Sequence, residues 1–127
     1  MILIVDDSPT DIELTTIAIE ATGRVISVCS APDGKSALAM LRIGHGLPTL
    51  ILLDMKMPGM DGIEVLREMR ADNRLRDLPV VVVTSSSLES DREEAIAAGA
   101  SDYLQKHLAL DQFSKDLESI LHRWMPN

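Results

Sequence analysis

Five short apolar runs punctuate the chain, at residues 1–5, 25–29, 49–53, 79–84 and 103–105. None exceeds six residues, and several are rich in β-branched side chains, as strands buried on both faces tend to be. Longer amphipathic stretches lie between them. The segment 9–21 opens with Ser8 as an N-cap and Pro9 at the first helical position. A second helical segment covers 33–43. In 61–71, Ile63, Leu66 and Met69 or Arg70 recur at helical spacing. The segment 88–98 runs into Gly99, a C-cap. In 111–124, Phe113, Leu117, Ile120, Leu121 and Trp124 form one stripe. Five strands alternating with five helices predict βαβ crossovers and a parallel sheet covered on both faces. Ligands of such sheets bind beyond the carboxyl ends of the strands, so reactive residues are expected there.

Composition narrows the picture. The 127 residues are the size of one ordinary domain, and no repeat, low-complexity stretch or linker divides them. Phe113, Trp124 and Tyr103 are the only aromatics, so the core must be aliphatic, with the methionines as filler. The formal net charge of -8 argues against direct binding to nucleic acid or to an anionic membrane. Cys29 is the single cysteine, so no intrachain disulfide can form, and its apolar run marks it as a buried core thiol. The opening apolar run is too short for a signal peptide or a membrane span, which makes the cytoplasm the expected location.

The strand ends carry the chemistry. The first strand is followed by Asp6 and Asp7, the third by Asp54, the fourth ends in Thr84, and the fifth stops beside Lys106. Three clustered carboxylates resist full ionisation unless a cation sits among them, and Mg²⁺ is the hard, oxygen-seeking ion that suits such a set. An ammonium and a hydroxyl can neutralise and bind a phosphoryl group. A carboxylate with a free oxygen can act as nucleophile and become an aspartyl phosphate. Phosphoryl transfer needs positioning and charge neutralisation above all.

The stretches ILIVDDSP, LILLDMKMPGMDGIEVL, LPVVVVTSSS and AAGASDYLQK together resemble the CheY-like receiver domains of two-component response regulators, and the resemblance covers essentially the whole chain as one receiver domain, 1–127. It implies a flavodoxin-like (βα)5 doubly wound α/β fold with a five-stranded parallel sheet in the order 2-1-3-4-5. It implies that Asp54 is the phosphoacceptor. Asp7 and Asp54 would contact Mg²⁺ directly, Asp6 through water, and Lys56 through its backbone carbonyl. Thr84 matches the switch hydroxyl, Lys106 the phosphate-pairing lysine, and Tyr103 the switch aromatic, although a half-buried structural ring is the other reading of Tyr103. Lys56 and Ser86 are placed to tune dephosphorylation. The implied donor is a sensor histidine kinase or a histidine phosphotransfer protein. The implied readout to a downstream effector is the face made by the fourth helix, fifth strand and fifth helix. A homodimer is left open, with Trp124 either packed on the sheet edge or at an interface.

One position departs from the family. Proline usually follows the lysine, often after a cis bond, and here the residue is His107. A cis bond before a non-proline residue costs roughly 3 kcal/mol, so trans is expected and the path of 106–110 changes. In this, and in an aromatic near its end, the sequence is similar to receivers associated with phytochrome-type kinases. His45, His107 and His122 lack metal-ligand spacing and read as surface or structural. Two rival readings are a receiver-like binding module that is never phosphorylated and a phosphohydrolase acting through an aspartyl intermediate. The second would want an acid/base two residues beyond Asp54, where the chain has Lys56.

Overall fold

The computed structural model describes residues 1–43, 46–106 and 109–126, so the expectations for His45 and His107 lie outside the described residues. The elements alternate as expected. They are β1 (Ile2–Val5), α1 (Pro9–Ala21), β2 (Val28–Ala31), α2 (Gly34–Ile43), β3 (Leu50–Asp54), α3 (Gly62–Ala71), β4 (Val80–Thr84), α4 (Glu89–Ala98), β5 (Asp102–Gln105) and α5 (Leu110–Trp124). All four strand pairings are parallel, and the sheet order is β2-β1-β3-β4-β5.

The pleat divides the core into two layers. Ile2, Ile4, Leu50, Leu52, Val81 and Val83 join residues of α1 and α5, among them Ile19, Phe113 and Leu117. Their neighbours Leu3, Val5, Ile51, Leu53, Val80 and Val82 face the other way, onto Leu38 of α2, Leu66 of α3 and Ala95 of α4. Strict alternation of large aliphatic side chains serves both faces, because each strand residue points opposite to the next. In β1, β3 and β4 every residue is buried, which is why these strands read as continuous apolar runs.

The capping signals act as expected. Ser8 accepts a hydrogen bond from the Asp11 amide at 3.2 Å. Asp61 caps α3 and forms a reciprocal pair with Glu64, satisfying two amides that the helix start leaves bare. Gly99 ends α4 at φ 113°, a left-handed conformation that disfavours any Cβ. Met69, not Arg70, completes the buried stripe of α3. Arg70 instead donates to the carbonyls of Gly99, Arg76 and Leu78, each at 2.9 Å, tying α3 to the loop before β4 and to the end of α4.

β2 departs from the sequence reading. It was expected at 25–29 and lies at Val28–Ala31, while Val25 is fully exposed. The register Ile2↔Val28 to Val5↔Ala31 sets its position. As an edge strand it has one ladder partner and tolerates Ser30 on its open side, so its apolar signal is weak and the preceding loop mimics it. Cys29 is consequently only partly buried at the rim of the core, with its thiol 3.5 Å from the Met1 sulfur. Trp124 is half-buried against the α1 and α5 layer, and its indole N–H donates to Asp102 at 3.2 Å.

Candidate functional site

Strand register levels the reactive side chains. Val5 pairs with Leu53, so Asp6 and Asp54 emerge side by side from neighbouring strands. Asp54 pairs with Val83 and Thr84 with Gln105, which brings Thr84 and Lys106 to the same rim. The Lys106 amide donates to the Thr84 carbonyl at 2.8 Å, holding the end of β5 against β4. Behind this rim α3 approaches closely. A Cβ on Gly62 would stand 2.5 Å from the Asp54 carbonyl oxygen and 2.9 Å from the Met55 Cα, so only glycine lets the helix start so near the strand end.

One oxygen from each of Asp6, Asp7 and Asp54 lies within 4.8 Å of the others. Asp6 is buried, Asp7 is exposed, and Asp54 keeps 9% of its surface. Burial pushes the Asp54 carboxyl up from its ordinary 3.8 to about 6. Lys106 opposes that rise, the charges of Asp6 and Asp7 add to it, and the Lys56 amide, which donates to the carboxylate, lowers it. An all-oxygen donor set with an uncompensated excess of negative charge suits a hard divalent cation.

Lys106 is the resident cation. Its ammonium lies 2.9 Å from Asp6 Oδ2, 3.0 Å from Asp11 Oδ2 and 3.8 Å from Asp54 Oδ1, with only 17% of the side chain exposed. Burial alone would lower its pKa, and the hydrogen bonds to Asp6 and Asp11 outweigh burial and raise it above 10.5. Asp11 is a member of the site that sequence reasoning missed. The Ser8 cap places it in the first turn of α1, directly over the ammonium. The only sequence signal was an acidic residue just inside a helix start, which is common for reasons unrelated to a site. Asp6 is fixed at its other oxygen by the Ser8 amide at 3.0 Å.

The remaining expected residues form a second group beside the first. Thr84 is buried, and its hydroxyl accepts from the Ser86 amide at 3.2 Å. Ser86 in turn accepts the Tyr103 phenol on its carbonyl at 3.2 Å and donates its own hydroxyl to Asp91 at 2.5 Å. Burial and then the Asp91 charge hold the Tyr103 phenol above its usual 10. The Lys56 ammonium, 71% exposed, stands 3.8 Å from Asp91 and pairs with none of the three acidic residues of the site. Asp91 was not singled out from the sequence either.

With this geometry in place, comparison with known proteins gives a consistent answer. The model of the response regulator receiver domain family matches residues 2–118, and the chain belongs to that family. It is 35% identical to the probable methanogenesis regulatory protein FilR2 of Methanothrix harundinacea, over 98% of this chain and 83% of that protein. It is 41% identical to the response regulator PleD of Caulobacter vibrioides over 83% of this chain, but that match spans 22% of PleD. Among solved structures, the phosphorylated cyanobacterial phytochrome response regulator RcpA superposes with a TM-score of 0.87 at 32% identity, covering 98% of this chain and 92% of that one. The Mn²⁺-bound form of response regulator Rcp1 gives 0.83 at 32% identity, over 97% and 92%. The chain is thus a receiver domain with the phosphoacceptor function of two-component signalling, and its structural neighbours include phytochrome-associated regulators. No helix among the described residues is long and apolar enough to cross a membrane.

Proposed function

We propose that residues 1–127 form one receiver unit that accepts a phosphoryl group on Asp54 from a histidine kinase or a histidine phosphotransfer protein. The observation that carries this reading is the convergence of Asp6, Asp7, Asp54 and Lys106 at one sheet edge. An Asp54 oxygen attacks phosphorus in line, the bond from phosphorus to the donor imidazole breaks, and an acyl phosphate forms. Lys106 neutralises one phosphoryl oxygen, and the Thr84 hydroxyl donates to another. Asp6, Asp7, Asp54 and the Lys56 carbonyl would hold Mg²⁺, which supplies charge neutralisation when bound. A carboxyl with a pKa of about 6 is mostly ionised at neutral pH and is therefore a competent nucleophile.

A cavity of about 440 Å³ bordered by Asp11, Leu14, Lys106, Leu110 and Phe113 opens between α1 and the start of α5, beside the ammonium. Transfer shifts a pre-existing equilibrium between two conformations. The face of α4, β5 and α5, with Tyr103 in it, is the readout to a downstream effector, and a second copy of the chain would pair on the same face. Support comes from α4 itself, which buries only Ala95 and leaves Ile96 exposed, with Leu88 exposed at its N-cap. The protein works in the cytoplasm as a switch that catalyses only its own phosphorylation and dephosphorylation.

The test is intact mass after incubation with acetyl phosphate, with and without Mg²⁺, for wild type and Asp54→Asn. A Mg²⁺-dependent gain of one phosphoryl group, absent in the variant, is expected. Uptake by the variant, or none by wild type from acetyl phosphate and from a phosphorylated histidine donor, would move the protein to the class of phosphorylation-independent binding modules.

A further inference from the structure

Ser86 is the hub of the loop between β4 and α4, with all of its polar groups engaged. Its amide donates to Thr84 Oγ1 at 3.2 Å, and its carbonyl accepts from Tyr103 at 3.2 Å. Its hydroxyl accepts from the Leu88 amide at 3.2 Å and donates to Asp91 Oδ2 at 2.5 Å. Asp91 belongs to the first turn of α4, is mostly buried, and faces Lys56 at 3.8 Å across the loop after β3. We infer that Asp91 is a positioning residue, a latch that holds Ser86 and so keeps the Thr84 hydroxyl turned into the loop, bonded to the Ser86 amide. This rests on the reading of Thr84 as the hydroxyl that engages the phosphoryl group.

The consequence follows from the bonding. For Thr84 to turn toward Asp54, the Ser86 amide must give up its acceptor, and the loop must move with it. Asp91 anchors that loop to α4 through the shortest hydrogen bond in the group, one in which a charged acceptor strengthens the contact. The latch therefore favours the resting conformation, and its loss raises the population of the conformation competent for transfer. A carboxylate in the first turn of a helix also stabilises that helix. That structural effect is separable, because it does not require Ser86.

The experiment uses four variants: Asp91→Ala, Asp91→Asn, Ser86→Ala and the Asp91→Ala/Ser86→Ala pair. Phosphorylation rates with acetyl phosphate and Mg²⁺ are measured, along with amide hydrogen exchange at Ser86 and Leu88 in the unphosphorylated protein. Asp91→Ala is expected to accelerate phosphorylation about fivefold, roughly what one net hydrogen bond is worth. Asp91→Asn keeps an acceptor oxygen but loses the charge that strengthens the contact, so its acceleration should fall clearly below that of Asp91→Ala. Ser86→Ala should match Asp91→Ala, and the double variant should add nothing further. Amide exchange at Leu88 and Ser86 should rise in Asp91→Ala. Equal acceleration by the Ala and Asn variants would mean that only charge steers the donor, and would overturn the latch. Unchanged amide protection in Asp91→Ala would overturn it as well. If wild type takes up no phosphoryl group from acetyl phosphate or from a phosphorylated histidine donor, the phosphoacceptor reading fails, while amide exchange still decides the latch.

Discussion

Removing the charge of Asp54 should stabilise the metal-free protein, which is the reverse of what deleting a buried polar contact usually does. The carboxyl moves from 3.8 to about 6 on folding, chiefly through burial and despite Lys106. Its ionised form is therefore disfavoured in the folded state by about 3 kcal/mol. The folded protein binds this proton more tightly than the unfolded chain does. Stability from this group therefore falls as pH rises from about 4 to about 6, and stays low above that. Asp54→Asn carries no such penalty. In EDTA it should exceed wild type by about 3 kcal/mol at pH 8 and by about half of that at pH 5. Lys106 keeps Asp6 and Asp11 as partners in the variant, so the substitution does not strand the ammonium. Urea titrations at both pH values, read by circular dichroism, measure the difference. Saturating Mg²⁺ should shrink the gap at pH 8, because a cation that binds the folded state stabilises wild type preferentially. A variant no more stable than wild type at pH 8, or a gain that does not change with pH, would refute the electrostatic account.

Two further outcomes follow from the same contacts. Lys106→Met should destabilise the metal-free protein by about 3 kcal/mol, because it strands buried Asp6 without its cation. It should also slow uptake from acetyl phosphate at least about tenfold, roughly the rate value of one lost charge-assisted contact. Wild-type uptake in that variant would remove Lys106 from the site chemistry. Arg70→Met should cost about 2–3 kcal/mol in urea unfolding, since three carbonyls lose one shared donor. Phosphorylation at saturating donor should stay within about twofold of wild type, because Arg70 serves the C-terminal end of α3 beside the amino ends of β4 and β5, away from the carboxyl ends that carry the site.

How much of this was legible in the sequence depended on what fixed each residue. β1, β3 and β4 are buried on both faces, so their burial demands apolar runs that no other element imitates. β2 lies at an edge, where one ladder partner and one packed face set weaker demands, and its boundaries slipped by three residues at the start. Strand ends were legible for a topological reason. A parallel sheet aligns its carboxyl ends, so an acid or a base placed just after each apolar run must converge with the others. Asp6, Asp7, Asp54 and Lys106 met that condition.

Asp11 and Asp91 did not, and the reason is physical. Both sit in the first turn of a helix, where the helix dipole alone accounts for an acidic residue. Only the tertiary fold, which brings the start of α1 to the residue just after β5, gives Asp11 the Lys106 ammonium. Only the path of the loop after β4 gives Asp91 the Ser86 hydroxyl. On the proposed reading the two aspartates act in the same sense, each restraining one of the two groups that would neutralise a phosphoryl oxygen. Asp11 shares the ammonium with Asp6, so the ammonium must be released from one of them to follow an arriving phosphoryl group. Asp91 holds the loop that occupies the Thr84 hydroxyl. On that proposal both contacts disfavour the active arrangement, and the negative charge of an acyl phosphate on Asp54 would draw Lys106 and Thr84 away from them. A switch built this way needs its restraints to be weak enough for one phosphoryl group to break, and single hydrogen bonds to aspartates in the first turn of a helix meet that condition.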